Sequence, residues 1–187
     1  MKVRKGDRGY IEAKKKRSII FTLLMALFGV IVFLVGYFLN DMSNKNIFTV
    51  IAVLFALPGA KFLVGFIVVF PYHSVSKERY DKVSRHVGDG MQLYTDLVIT
   101  STEKVMELDF AAIGNNQVIC LVGKAGQDIG YIRKYLSGGV ANWGSGYKVK
   151  VVDSEKIFIN ELDCVSKAEI DEEEEENVKS YLTSLIV

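Results

Sequence analysis

Apolar residues are gathered in two runs, 19–39 and 47–70, with the polar stretch Asn40-Asp41-Met42-Ser43-Asn44-Lys45-Asn46 between them. The first run has 21 residues and no formal charge, enough at about 1.5 Å per helical residue to cross a hydrocarbon core of roughly 30 Å. The second has 24 residues and one charge, Lys61, and is long enough once it tilts. Segments apolar on every side suit lipid better than the interior of a small domain. The pattern therefore predicts a transmembrane helical hairpin over residues 19–70, with both flanking segments on one side. The first run is too long for a signal-peptide core, lacks a small-residue cleavage site after it, and is followed at once by a second span. It is read as a retained anchor.

After Pro71 the period shortens. Ser76 is placed to cap a short polar helix to about Val87, which Gly88-Asp89-Gly90 stops. Residues 93–100, 105–113 and 117–122 read as strands, joined by Ser101-Thr102-Glu103-Lys104 and by the turn pair Asn115-Asn116. Residues 127–136 read as a helix ended by Gly138-Gly139, 148–152 as a strand, and 156–160 as a further strand. Ser166-Lys167-Ala168-Glu169 has capping-box spacing and opens a last helix to about Leu185. The expected organisation is a basic tail (1–18), the hairpin (19–70) and a small α/β domain (74–187).

Charge orients this arrangement. The net charge of +1 conceals eight Lys or Arg in residues 1–18 against Asp7 and Glu12, while the loop between the runs holds Lys45 alone among basic residues. By the positive-inside rule the tail is cytoplasmic, and a hairpin brings the α/β segment to the same side. The expected location is the inner (plasma) membrane of a prokaryotic-type cell, with both termini cytoplasmic and membrane lipid as one partner. Residues 74–187 carry 13 basic and 19 acidic side chains, a balance of −6, and no Lys/Arg stripe, which argues against nucleic-acid binding. Cys120, inside an apolar run, and Cys164, in a connection, are expected as free thiols in a reducing compartment.

Small residues stripe both spans: Ala26, Gly29 and Gly36 in the first, and Ala52, Ala56 and Ala60 in the second. Such stripes let helices approach closely where lipid supplies no hydrophobic drive. Pro58 removes a backbone donor, frees the carbonyl of Leu54 and predicts a kink. Lys61 follows at a depth where a charge costs at least about 2.5–3.5 kcal/mol. Three arrangements suit it: snorkelling, bonding to carbonyls freed at the kink, or pairing with an acid on a partner helix. The helix end lies about 13 Å away by the helical rise, which strains the first.

Glu107-Leu108-Asp109-Phe110-Ala111-Ala112-Ile113, a turn, and then Val118 to Lys124 resemble the core hairpin of the nuclease-related domain family, part of the PD-(D/E)xK nuclease superfamily. The resemblance covers about residues 91–160 and includes the preceding strand and Gln127 at the start of the following helix. It implies a restriction-endonuclease-like α/β fold, Asp109 as a metal-binding acid and Lys124 as the charge-stabilising lysine, with Mg²⁺ as the cofactor of an active member. Val122 stands where the family's second metal-binding acid belongs, and valine supplies no oxygen to a hard cation. Glu107, two residues from Asp109 on one strand, shares its face and offers a displaced pair. The expectation is therefore a degenerate nuclease-like domain without metal or cofactor, acting as an accessory or binding subunit with a protein partner or a second copy. The rivals are a membrane-anchored metal-dependent nuclease using Glu107, Asp109 and Lys124, and a transport-complex subunit marked by Lys61. His73 and His86 lack metal-ligand spacing to a Cys or acid. The Gly-rich stretch 137–146 lacks a Walker-type Lys-Ser/Thr.

Overall fold

Gly9, at φ +87°, is followed by Tyr-Ile-Glu-Ala-Lys-Lys-Lys-Arg, mostly good helix formers. In the computed structural model, which describes residues 3–123, 125–166 and 171–187, helix α1 accordingly starts at Tyr10, well before the apolar run, and spans Tyr10–Leu39. Asn40 ends it, its side-chain amide donating to the Gly36 carbonyl at 2.8 Å. Asp41 and Met42 then take positive φ values of 49° and 59°. The Asn46 side chain accepts from the Thr49 N–H and caps α2 (Ile47–Leu54).

The second run is two helices rather than one. It breaks at Phe55, the residue after Leu54, and resumes as α3 (Ala56–Val69). Pro58 thereby falls in the first turn of α3, where helical N–H groups lack intrahelical partners and a missing donor costs little. Tyr10–Leu39 and Ile47–Val69 are both long and apolar enough to cross a membrane, and almost none of the residues in their most apolar stretches is fully buried.

The described residues form two units, one of residues up to Ile11 with Tyr72–Val187, the other Glu12–Pro71. The head of the basic tail thus belongs with the α/β unit instead of standing apart. Within the hairpin unit, an added Cβ on Gly36 would lie 2.1 Å from the Phe48 Cβ, and one on Gly29 would lie 3.3 Å from the Ala52 carbonyl oxygen. Phe28 stacks on Phe55 and Phe21 on Phe62. A groove of about 480 Å³ between the helices is lined by Ala26, Gly29, Ala52 and Ala56 among others. Ala60 is exposed.

In the α/β unit, Ser76 caps α4 (Lys77–Ser84) through the Arg79 N–H. Strands β1 (Met91–Thr100), β2 (Val105–Gly114) and β3 (Gln117–Val122) form an antiparallel meander. Asn115 and Asn116 turn β2 into β3 with φ 51° and 58°, the left-handed pair that a tight hairpin needs. Helix α5 (Ile129–Val140) then crosses to β4 (Lys148–Val152), which pairs parallel to β3 in a sheet of order β1-β2-β3-β4. Helices α6 (Glu155–Asp163) and α7 (Glu172–Leu185) complete the unit.

Three expectations change here. Residues 156–160 are helical: the β-branched look of Ile157 and Ile159 yields to burial of Phe158 and Leu162, four apart on one helical face. Helix α5 continues through Gly138-Gly139 because Ile132, Leu136 and Val140 bury one face. Gly139 is needed there for clearance, since a Cβ would sit 1.7 Å from the Tyr181 hydroxyl oxygen. The last helix starts at Glu172, capped by Asp171, which accepts from the Glu173 and Glu174 N–H groups. Most of the expected capping box, residues 167–169, lies outside the described residues.

The sheet is covered on both faces. One cluster holds Leu97, Ile99, Leu108, Val122, Ile132, Leu136, Val178 and Leu182. The other holds Val83, Phe110, Ala112, Ile119, Leu121, Phe158 and Leu162. Alternation along β2 is not simple: Met106 and Leu108 face the first cluster, but beyond Asp109 it is Ala111 and Ile113 that do. An extra residue in β2, opposite the step from Val122 to Leu121 in β3, switches the parity. Asp96 makes the same switch in β1 with a φ of 58°: Tyr94 precedes it and Leu97 follows it in one cluster.

Candidate functional site

Charged side chains in the middle of buried strands need partners, and the two strand switches place three of them: Asp96, Glu107 and Asp109, at 1%, 8% and 9% exposure. Asp96 is a fastening point. One carboxylate oxygen accepts from the Gly9 N–H at 2.7 Å and the other from the Val75 N–H at 2.9 Å. Beside it the Thr95 N–H donates to the Gly6 carbonyl. These bonds hold the N-terminal segment along β1, and the Val187 N–H donates to the Val98 carbonyl at the same strand.

Asp109 sits at the bulge of β2 and is held by α4. Arg79 donates from one terminal nitrogen to the Asp109 Oδ2 at 2.7 Å and from its Nε to Glu155 Oε2 at 2.9 Å. Lys82 bonds the other Glu155 oxygen at 2.8 Å. The guanidinium lies 5.7 Å from the centroid of the Phe110 ring. A chain of alternating charge, Asp109-Arg79-Glu155-Lys82, thus ties β2 to α4 and α6. The Lys82 ammonium, with Arg79 acting alongside and burial opposing, holds the Glu155 carboxyl below its ordinary value.

Glu107 faces a different set of groups. The Gln127 side-chain amide accepts from the Glu107 N–H and donates to the Glu107 carbonyl, each at 3.0 Å, standing in for a strand partner at the head of α5. Burial, with the Glu107 charge adding to it, raises the Tyr72 phenol above its ordinary value. Both carboxylates converge on Gly123. A Cβ there would lie 2.4 Å from Asp109 Oδ1 and 3.0 Å from the Glu107 Cδ.

The residue beside the acids is therefore Gly123 rather than Val122, whose side chain packs into the opposite cluster. Glu107 and Asp109 do come together. Lys124 lies outside the described residues. His86 is bonded to Asp163 at 3.0 Å, and His73 is exposed near the start of α4. Cys120 and Cys164 are free thiols; burial pushes the Cys120 thiol up to about 12 and keeps it protonated.

Comparison with protein-family models, with curated proteins and with solved structures returns no match.

The chemistry of this site rests on its own geometry. Ca²⁺ takes six to eight oxygens, whereas Mg²⁺ keeps several waters and is held by one or two carboxylates. Among the described residues no three His, Cys, Asp or Glu side chains are grouped to hold one. Of the two acids at Gly123, Asp109 already neutralises Arg79. Glu107 and Asp109 are thus two converging carboxylates, one of them already paired with a guanidinium. Arg79, Asp96, Gly123 and Glu155 are invisible to strand periodicity or motif spacing. The available signal was an ionisable residue, Asp96, inside the otherwise apolar or polar-neutral run 93–100.

Proposed function

We propose that this chain is an integral membrane protein of a prokaryotic-type plasma membrane, anchored by its two apolar helices. The α/β unit is held at the cytoplasmic surface as a binding or assembly module. Its β2–β3 hairpin keeps the nuclease-related pattern while the metal-dependent reaction is lost. The observation that carries this reading is the Arg79 guanidinium on Asp109: the acid that would grip a cation is spent on an internal ion pair. The acidic balance of residues 74–187 supports a protein partner over a polyanion.

The test is an assay of the full chain, purified in mild detergent, with Mg²⁺ or Mn²⁺ against single- and double-stranded DNA and RNA. No metal-dependent cleavage above buffer is expected. Cleavage that disappears in Asp109→Ala would overturn the binding reading and establish the nuclease.

A further inference from the structure

The contacts within the hairpin unit fix the level of Lys61 along the helices. Phe62 stacks on Phe21 with ring centroids 5.0 Å apart. A Cβ on Gly59 would lie 3.5 Å from the Met25 Cβ, and one on Gly65 would lie 3.8 Å from Ser18 Oγ and 3.9 Å from Lys14 Cε. Lys61 is therefore level with about Thr22 of α1, five residues past Arg17 in the chain, or about 7.5 Å by the helical rise. The last turns of α3 run beside the charged segment of α1, so on the membrane-spanning reading Arg17, and not the end of α3, marks the polar boundary of the hairpin. Lys61 lies about one and a half turns from the level of Arg17.

Lys16, Arg17 and Lys61 are all exposed. They have no hydrogen bond or ion pair among the described residues, whereas Lys15 is paired with Glu12 at 3.2 Å. Beside lipid rather than water, three such cations at one end of an apolar hairpin favour anions supplied from outside. The apolar runs of a second copy hold no acid to pair with Lys61. On the membrane-spanning reading, these groups fall at the level where phospholipid headgroups meet the hydrocarbon. Side chains of α1 tilt toward its N-terminus, outward, and reach headgroups easily, while Lys61 on the oppositely directed α3 must bend back along its stem. It marks the inner rim.

We propose that Lys16, Arg17 and Lys61 form a cationic collar that binds anionic phospholipid headgroups and sets the depth of the hairpin in the bilayer. This inference rests on the membrane-spanning reading above. Each cation near an anionic surface is worth about fivefold in association, so the collar selects anionic lipid rather than merely tolerating it.

The full chain is reconstituted in phosphatidylcholine vesicles doped with spin-labelled phosphatidylglycerol or spin-labelled phosphatidylcholine, and the motionally restricted fraction is read by electron paramagnetic resonance. Phosphatidylglycerol is expected to associate roughly fivefold or more above phosphatidylcholine, a preference that weakens as salt rises. Lys61→Leu and the pair Lys16→Gln, Arg17→Gln should each lower it severalfold, while Lys61→Arg keeps it. Equal association of the two lipids, or a preference unmoved by all the neutralising variants, overturns the collar. Loss of the preference to inorganic phosphate at low millimolar level also overturns it, because the site then takes a soluble anion. Alkaline carbonate extraction separates the two levels of the argument. A chain released from the vesicles refutes the membrane span itself, and a retained chain without lipid preference refutes the collar alone.

Discussion

Asp96→Ala is expected to destabilise the α/β unit by about 3–6 kcal/mol, the largest loss from any single polar side chain described above. Two terms add. The Gly9 and Val75 N–H groups both lose a carboxylate acceptor in a site where Asp96 is 1% exposed, and each unmet buried donor costs about 1–3 kcal/mol. The backbone at this position has φ 58°, which aspartate and asparagine tolerate and alanine resists. Asp96→Asn keeps the conformation and one acceptor oxygen, so its loss is expected to be clearly smaller. Urea unfolding of the full chain in mild detergent, followed by the fluorescence of Trp143, checks the order wild type, Asp96→Asn, Asp96→Ala. Against a typical total stability of about 5–15 kcal/mol, the alanine variant should be largely unfolded at modest denaturant. An unchanged midpoint would remove Asp96 from its fastening role.

The second large effect is expected at Arg79. Arg79→Leu leaves Asp109, whose side chain is 11% exposed, without its counter-ion, and frees Glu155 from half its partners. Breaking a fully buried pair costs about 3–5 kcal/mol. The Arg79 side chain is 40% exposed, so a loss of about 1–3 kcal/mol is expected after allowance for solvent screening. Adding Asp109→Asn to Arg79→Leu should recover part of it, because the uncompensated charge is then gone. Full additivity of the two single changes would mean that the pair is not coupled.

The same network predicts a dependence on pH. Bonding to Lys82, and then to Arg79, lowers the Glu155 pKa below its ordinary 4.5. A depressed folded-state pKa adds stability above the unfolded value and loses it as the pH falls through the lowered folded value. The midpoint of the wild type should therefore drop below about pH 4.5 more steeply than that of Glu155→Gln.

The sheet was legible because its strands obey local rules. Val118, Cys120 and Val122 alternate with Ile119 and Leu121 between the two clusters, and Asn115-Asn116 announces its turn. Helix α6 was not legible, since Lys-Ile-Phe-Ile-Asn carries both a strand composition and the four-residue repeat of Phe158 and Leu162, and packing against the sheet decides between them. The site was half legible. Simple alternation puts Glu107 and Asp109 on one face, and they do converge, but the bulge at Asp109 moves their neighbour from Val122 to Gly123. Arg79 lies 30 residues from Asp109 in the chain, and Asp96 lies 87 from Gly9. Contacts at such separations leave no mark in local periodicity. The register of Lys61 against α1 was hidden for a related reason: its distance to the end of its own helix is readable from the chain, but the pairing of Phe62 with Phe21 is not.

The central claim is a membrane hairpin presenting the α/β unit on the side of the basic segment, and accessibility of single cysteines in intact cells tests it most directly. Cys164 is exposed and is first replaced by serine, while buried Cys120, with its thiol pushed up to about 12, stays silent. Ser43 and Ser180 are both exposed positions, one in the turn between the spans and the other on α7. Ser43→Cys is expected to react with a membrane-impermeant maleimide added outside, and Ser180→Cys to react only after the cells are permeabilised. Reaction of Ser180→Cys in intact cells, or protection of Ser43→Cys there, would contradict the hairpin.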